Sequence, residues 1–303
     1  MSESEIDQVR AFLAQSSADL SWQEMRAVYD GIGSAFPTPN DVILERVEAG
    51  GVPGEWSITP GAAGERAILY LHGGGYVIGS VASHRHLAAA LGRAARARCL
   101  SLDYRLAPEH PFPAAVDDAL GAYRFLLESG IAPGRVAIAG DSAGGGLTVA
   151  TMAAIREAGL PQPACGFCIS PWVDLEGLGD SMTSKAAEDP MVQLEGLSGM
   201  AAAYLAGAPP RSPLAAPLHA DLEGLAPVLI HVGSCETLLD DATRLATALA
   251  HAEVEVRLEA WPRMIHVWHF FHPMLAEGRR AIASAGEFIS ERMDAAVGLS
   301  VAA

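Results

Sequence analysis

The chain reads as an α/β protein: a mostly parallel eight-stranded sheet with helices on both faces and a helical cap. Three observations predict it. Strand-like and helix-like segments alternate through the middle of its 303 residues, which is the signature of a parallel sheet wrapped by helices. Several strand segments are apolar on both faces, as in Val136-Ala137-Ile138-Ala139, and strands covered from both sides read this way. Hydrophobic residues make up 50% of the chain and charged ones only 18%, enough apolar matter for one large core.

Residues 1–40 suggest one or two short helices that end at Phe36-Pro37-Thr38-Pro39. Strands are expected at Val42–Glu48, Glu55–Thr59, Ala67–Leu71, Cys99–Asp103, Val136–Ala139, Cys165–Ser170, Val228–Val232 and Val254–Ala260. Helices are expected at His84–Arg96, Ala114–Glu128, Ala143–Ala158, Leu239–Ala250 and Ala276–Met293. Residues 175–218 form a Gly-, Ala- and Pro-rich excursion between two strands, too long for a simple crossover loop. The expected organisation is a core of residues 41–174 and 219–303, with residues 1–40 and the insertion 175–218 folded over it as a cap.

Composition narrows the partners. The formal net charge is −16, and so acidic a surface repels phosphate backbones and anionic membranes, so nucleic acid is excluded as a partner. No apolar run approaches the roughly 18 residues that span a bilayer. The start, Met1-Ser2-Glu3-Ser4-Glu5, lacks the basic-then-apolar order of a secretory signal, and a cytoplasmic location is expected. The four cysteines, Cys99, Cys165, Cys168 and Cys235, do not make a disulfide framework. Cys165 and Cys168 lie three apart in a strand and face opposite sides, so they cannot share a metal, and no metal site is expected.

Two motifs carry chemistry. Gly140-Asp141-Ser142-Ala143-Gly144 follows a strand and opens an apolar helix, the context that a G-x-S-x-G nucleophile turn requires. The strand reverses so sharply there that only small residues fit beside the serine, and the helix N-terminus aims free N–H groups at developing negative charge. About 65 residues upstream, His72-Gly73-Gly74-Gly75 follows another strand, and such a loop supplies backbone donors to an oxyanion.

With these blocks, and with Asp103-Tyr104-Arg105-Leu106-Ala107-Pro108-Glu109, Ser234-Cys235-Glu236-Thr237-Leu238-Leu239-Asp240-Asp241 and Met264-Ile265-His266-Val267, the sequence resembles the bacterial hormone-sensitive-lipase family of carboxylesterases, within the α/β-hydrolase superfamily. The resemblance implies hydrolysis of short- to medium-chain acyl esters, a small-molecule ester substrate and no cofactor. It implies that Gly74, Gly75 and Ala143 form the oxyanion hole, that His72 is structural and that the Asp103–Glu109 block braces the site. It also implies pairing of two copies through the edge strand near Val254–Ala260.

In this fold the order along the chain is serine, acid, histidine. Of the ten histidines, His266 sits in a loop just beyond the last strand, where a base reaches back over Ser142, and the family match also selects it. His231 lies inside an apolar strand and His251 ends a helix. His269 and His272 lack a companion ligand at metal-binding spacing. Glu236 is the expected acid, with Asp240 and Asp241 as rivals that read more simply as first-turn helix carboxylates. The alternatives are a lactone hydrolase with the same triad, or a non-catalytic ligand-binding protein on this scaffold.

Overall fold

The computed structural model describes residues 4–13 and 20–300. The first three residues and residues 14–19 of the expected N-terminal cap segment, and the last three of the expected core, lie outside the described residues. Helices α1 (Glu5–Leu13) and α2 (Trp22–Ser34) come first. The strands are β1 (Ile43–Ala49), β2 (Val52–Ile58), β3 (Ala63–Leu71), β4 (Ala97–Leu102), β5 (Val136–Asp141), β6 (Cys165–Ile169), β7 (Val228–Gly233) and β8 (Val256–Trp261). Between and after them run α3 (Val81–Ala95), α4 (Ala114–Glu128), α5 (Ala143–Glu157), α6 (Ser181–Ser184), α7 (Leu194–Leu205), α8 (Leu239–His251) and α9 (Ala276–Ser300).

One eight-stranded sheet has the order β1-β2-β4-β3-β5-β6-β7-β8. Pairing is parallel from β4 to β8, and only β1–β2 and β2–β4 are antiparallel. Alternation sorts the side chains into two cores. Leu69, Leu71, Ile138 and Cys168 pack on one face with residues of α4, α5 and α8. Ile68, Tyr70, Ala137 and Cys165 pack on the other with residues of α1, α3 and α9. Cys165 and Cys168 therefore face opposite sides of the sheet, as their spacing requires.

The topology makes a crevice. From β3 the chain leaves through α3 toward β4, and from the adjacent β5 it leaves through α5 toward β6. These helices cover opposite faces, so β3 and β5 form a switch point at their carboxyl ends, where ligands of open α/β sheets bind. The two glycine motifs stand at these two strand ends.

Among the element boundaries that differ from the sequence expectation, three do so for local reasons. β2 begins at Val52 because Gly50 and Gly51, at φ 65° and 86°, turn the chain back tightly enough to pair Ala49 with Val52. Pro53 and Gly54 disguise that start. α3 begins at Val81 because Ser80 caps it, accepting from the Ser83 N–H at 3.1 Å. β3 starts at Ala63, ahead of a register shift that lies between Ala63 and Ala67. Among the described residues, no helix is long and apolar enough to cross a membrane.

The β3 and β5 ends approach so closely that a Cβ on Gly144 would overlap the Leu71 and His72 carbonyl oxygens, and one on Gly140 would overlap the Gly144 and Leu71 carbonyl oxygens. These obstacles are backbone and cannot swing aside. Gly144→Ala is therefore expected to cost at least the roughly 1–3 kcal/mol of an overpacked core, measured as a fall in the urea unfolding midpoint.

Candidate active site

Ser142 stands between β5 and α5 with φ 55° and ψ −120°, a strained backbone for a residue with a side chain. The surroundings hold it there. The Ser142 N–H donates to Ile169 O at 2.8 Å, and its carbonyl accepts from Trp172 N at 2.9 Å and Gly146 N at 3.1 Å. Ala143 opens α5, so its N–H precedes the helix's own ladder. Gly74 and Gly75 adopt φ 113° and 61° in the loop after β3. Among the described residues, none accepts a hydrogen bond from the N–H of Gly74, Gly75 or Ala143.

That loop is braced from beneath. Asp141, fully buried, accepts from Tyr70 Oη at 2.7 Å and Gly73 N at 3.1 Å, and stands 3.3 Å from His84 Nε2. Burial opposes its charge, but His84 and Tyr70 outweigh burial and hold its carboxyl below the ordinary range. The His72 ring lies stacked on Tyr104 at 4.2 Å, and burial pushes its pKa down to about 3. Tyr104 Oη donates to His72 O at 2.7 Å. The Asp103–Glu109 block is tied to the glycine loop after β3 and to α2. Ala107 N donates to Tyr76 O at 2.9 Å. Arg26 of α2 donates to Val77 O, to Ala107 O and to the Glu109 carboxylate. His72 thus serves packing.

His266 and Glu236 are brought together. His266 Nδ1 donates to Glu236 Oε2 at 2.8 Å, which fixes the neutral tautomer with a bare Nε2. Glu236 is 0% exposed. Its other oxygen accepts from Ser170 Oγ at 3.0 Å and from the Gly233 N–H. Burial raises the Glu236 pKa, with the His266 contact opposing. Burial also disfavours the imidazolium, but the hydrogen bond and charge of Glu236 prevail and raise the His266 pKa above its ordinary value. The rival carboxylates are engaged elsewhere. Asp240 accepts from Ser181 N at 2.8 Å, and Asp241 accepts from the Val173 and Asp174 N–H groups at 2.9 and 3.0 Å.

Ser142, His266, Gly74 and Gly75 line one cavity of about 220 Å³. Its remaining walls are largely apolar: Met25 and Tyr29 from α2, and Met191, Val192, Leu197 and Met200 from the long insertion and its helix α7. Both irregular regions of the sequence therefore reach the same space. Larger clefts exist, including one of about 440 Å³ beside Asp30 and Glu55, but it contains none of these groups.

Two positioning groups escape a motif reading. Ser170, at φ 46°, donates to Glu236 and accepts from Val267 N at 3.1 Å, so it joins the acid to the histidine turn. Asp189 accepts from Thr237 N at 2.8 Å and holds the segment that carries Glu236. Ser170 had one signal: a polar residue at the carboxyl end of an apolar strand, where ligand-facing loops begin. Asp189 had none. Elsewhere, Asp174, Glu176 and His219 bring oxygen and nitrogen atoms close enough for a cation. However, Asp174 is engaged by Arg244 at 2.8 Å, and Glu176 is paired with Arg211.

Ser170→Ala removes one donor from the Glu236 carboxylate and leaves the Val267 N–H buried without an acceptor. The expected cost is about 1–3 kcal/mol of stability, read by urea denaturation.

Residues 68–270 match the family described as alpha/beta hydrolase fold. The chain is 49% identical to an acetyl-hydrolase of Streptomyces hygroscopicus over 288 residues, 91% of this chain and 95% of that protein. It is 32% identical to an esterase of Acinetobacter venetianus over 274 residues, 90% of each. The crystal structure of an esterase from the bacterial hormone-sensitive lipase family superposes with a TM-score of 0.95 at 48% identity, covering 97% of this chain and 100% of that one.

Proposed function

Because the chain belongs to the hormone-sensitive-lipase family of α/β-hydrolases and is a carboxylic ester hydrolase, we propose that Ser142, His266 and Glu236 act as its catalytic triad. The observation that carries this reading is the 2.8 Å contact from His266 Nδ1 to Glu236 Oε2, beside the cavity that Ser142 shares. His266 Nε2 takes the Ser142 proton as Oγ attacks the ester carbonyl. The tetrahedral oxyanion is received by the N–H groups of Gly74, Gly75 and Ala143. The alcohol leaves with the proton from His266, forming an acyl-enzyme on Ser142. Water, deprotonated by His266, then releases the carboxylic acid and restores the serine.

The substrate reading is an uncharged ester with a short- to medium-length acyl chain. A cavity of about 220 Å³ walled by methionines, valine and leucine supports a small apolar acyl group, and flexible methionines adapt to its shape. The side chains of α2 and the 175–218 insertion then act as a cap that sets chain length. β8 pairs only with β7 among the described residues, and its open edge supports pairing of two copies there. A monomer by light scattering at working concentration removes that part.

The decisive assay is hydrolysis of p-nitrophenyl esters from acetate to palmitate. Turnover is expected to peak at short chains and to disappear in Ser142→Ala, and undiminished turnover by that variant defeats the triad. Glu236→Gln is expected to lower kcat by about 10³–10⁴-fold, the loss seen when a triad carboxylate becomes an amide. Loss confined to Asp240→Asn or Asp241→Asn reassigns the acid. The base must be neutral, so activity falls as pH drops through the His266 pKa. Glu236 raises that value, so the midpoint of kcat/KM is expected above the ordinary histidine value of about 6.5. A profile flat from pH 5 to 8 excludes His266.

A further inference from the structure

The turn that carries His266 is also held, just beyond it in the chain, by buried polar groups that the reaction scheme does not use. His231 of β7 and His269 of the short turn Trp268–Phe271 are both 0% exposed. His231 Nδ1 lies 3.0 Å from His269 Nε2, so one proton bridges the two rings. At the opposite edge of its ring, His231 Nε2 stands 3.2 Å from Glu259 Oε2 of β8, an ion-pair distance without aligned hydrogen-bond geometry. Glu259 also accepts from Ser284 Oγ at 3.0 Å and Trp261 Nε1 at 3.2 Å, and it pairs with Arg257.

These contacts specify where each proton sits. The neighbouring His231 ring and the other contacts hold the Glu259 carboxyl down at about 2, so it is anionic. Burial lowers the His231 pKa, outweighing the opposing pull of Glu259, and so favours the neutral ring. A bare ring nitrogen beside a carboxylate is repelled and an N–H is attracted, so the single proton of His231 is on Nε2. Its Nδ1 is then an acceptor, and His269 must carry its proton on Nε2. His269 Nδ1 is left bare, and it is the ring atom without a partner. The backbone closes the circuit. His231 O accepts from Ser170 N at 2.7 Å, and Ser170 Oγ bridges Glu236 and Val267 N. His231 therefore reaches the His266 turn through its ring and the acid through its backbone.

We propose that Glu259, acting through His231 and His269, is a positioning residue that fixes the turn presenting the His266 imidazole for ester hydrolysis. The proposal rests on His266 being the base. A misplacement of about 1 Å at a reacting group costs about 100-fold in rate, so loosening this anchor acts on kcat rather than on substrate affinity.

The test compares Glu259→Leu, Glu259→Gln and His269→Leu on p-nitrophenyl butyrate, with kcat expressed per site titrated by a phosphonate ester. Glu259→Leu and His269→Leu are expected to lower kcat per site about 10–100-fold with KM within about twofold. Glu259→Gln, whose amide oxygen still presents partial negative charge to the His231 N–H, is expected to lose less. A purely structural role lowers the melting temperature and leaves kcat per titrated site unchanged, and that result overturns the proposal. Long-range ¹H–¹⁵N spectra of the wild type test it independently of any variant: His231 and His269 must both be protonated at Nε2, and a proton on His269 Nδ1 overturns it. His266→Ala separates the two readings. If it retains turnover, the triad fails and the positioning role falls with it. If it is inactive while the Glu259 and His269 variants keep full kcat, the positioning role alone is lost.

Discussion

The site depends on one close approach of backbone to backbone, where the turn after β5 meets the loop after β3. Gly140 and Gly144 pack against the Leu71 carbonyl with no room for a Cβ. That contact puts Ser142 and the glycine loop within reach of the same ligand atoms. It also demands a strained φ of 55° at Ser142. The strain is sustained because the serine's N–H and carbonyl are both bonded across to the segment 169–172 and into α5. Removing the side chains at the two glycines therefore comes first, and the orientation of the nucleophile follows from it.

Around this contact the molecule is braced by buried polar groups with defined partners. Asp141 links Tyr70, Gly73 and His84 beneath the loop. Glu236 links Ser170, Gly233 and His266 beside it. A buried carboxylate is costly unless its oxygens are satisfied, and both are. The apolar cap side chains have a separate task. Met200 of α7 packs where a side chain on Gly75 would have to go, and Tyr204 stacks on Tyr76 at 3.8 Å. The long insertion is thus packed onto the glycine loop itself, which couples the shape of the cavity beside Ser142 to the geometry of the donors proposed for the oxyanion.

The sheet and the principal site residues are legible in the sequence because each leaves a local trace. Largely apolar runs mark β5 and β7, and glycines mark the two turns where only a hydrogen fits. Its place in the loop just beyond the last strand, together with the family resemblance, separates His266 from the nine other histidines. What is not legible is whatever depends on contacts between distant segments. Ser170 looks like the end of a strand, and its double role exists only because Val267, almost a hundred residues later, returns to it. His231 reads as an oddity in an apolar strand, since its partners Glu259 and His269 lie on other elements. Arg26 gives no sign in the sequence that it joins α2 to the glycine loop and to Glu109. The start of β2 is concealed by Pro53 and Gly54, residues that argue against a strand when read alone.

The two sides of His266 are held by different physics. On one side a buried carboxylate raises the pKa of the imidazole and accepts a hydrogen bond from its Nδ1. On the other, two neutral histidines are locked into single tautomers by an ionised glutamate at the sheet edge. A base needs both properties: a nitrogen whose protonation state responds to the reaction, and a mounting whose protonation state does not. Burial supplies the second by depressing the pKa of His231 and of His269, so that in the proposed mechanism neither ring takes up the proton that moves between Ser142 and His266. Burial thus lowers the pKa of all three neighbouring imidazoles, and among them it is outweighed at His266, where the buried Glu236 carboxylate is bonded to the ring and further acidic charges lie nearby.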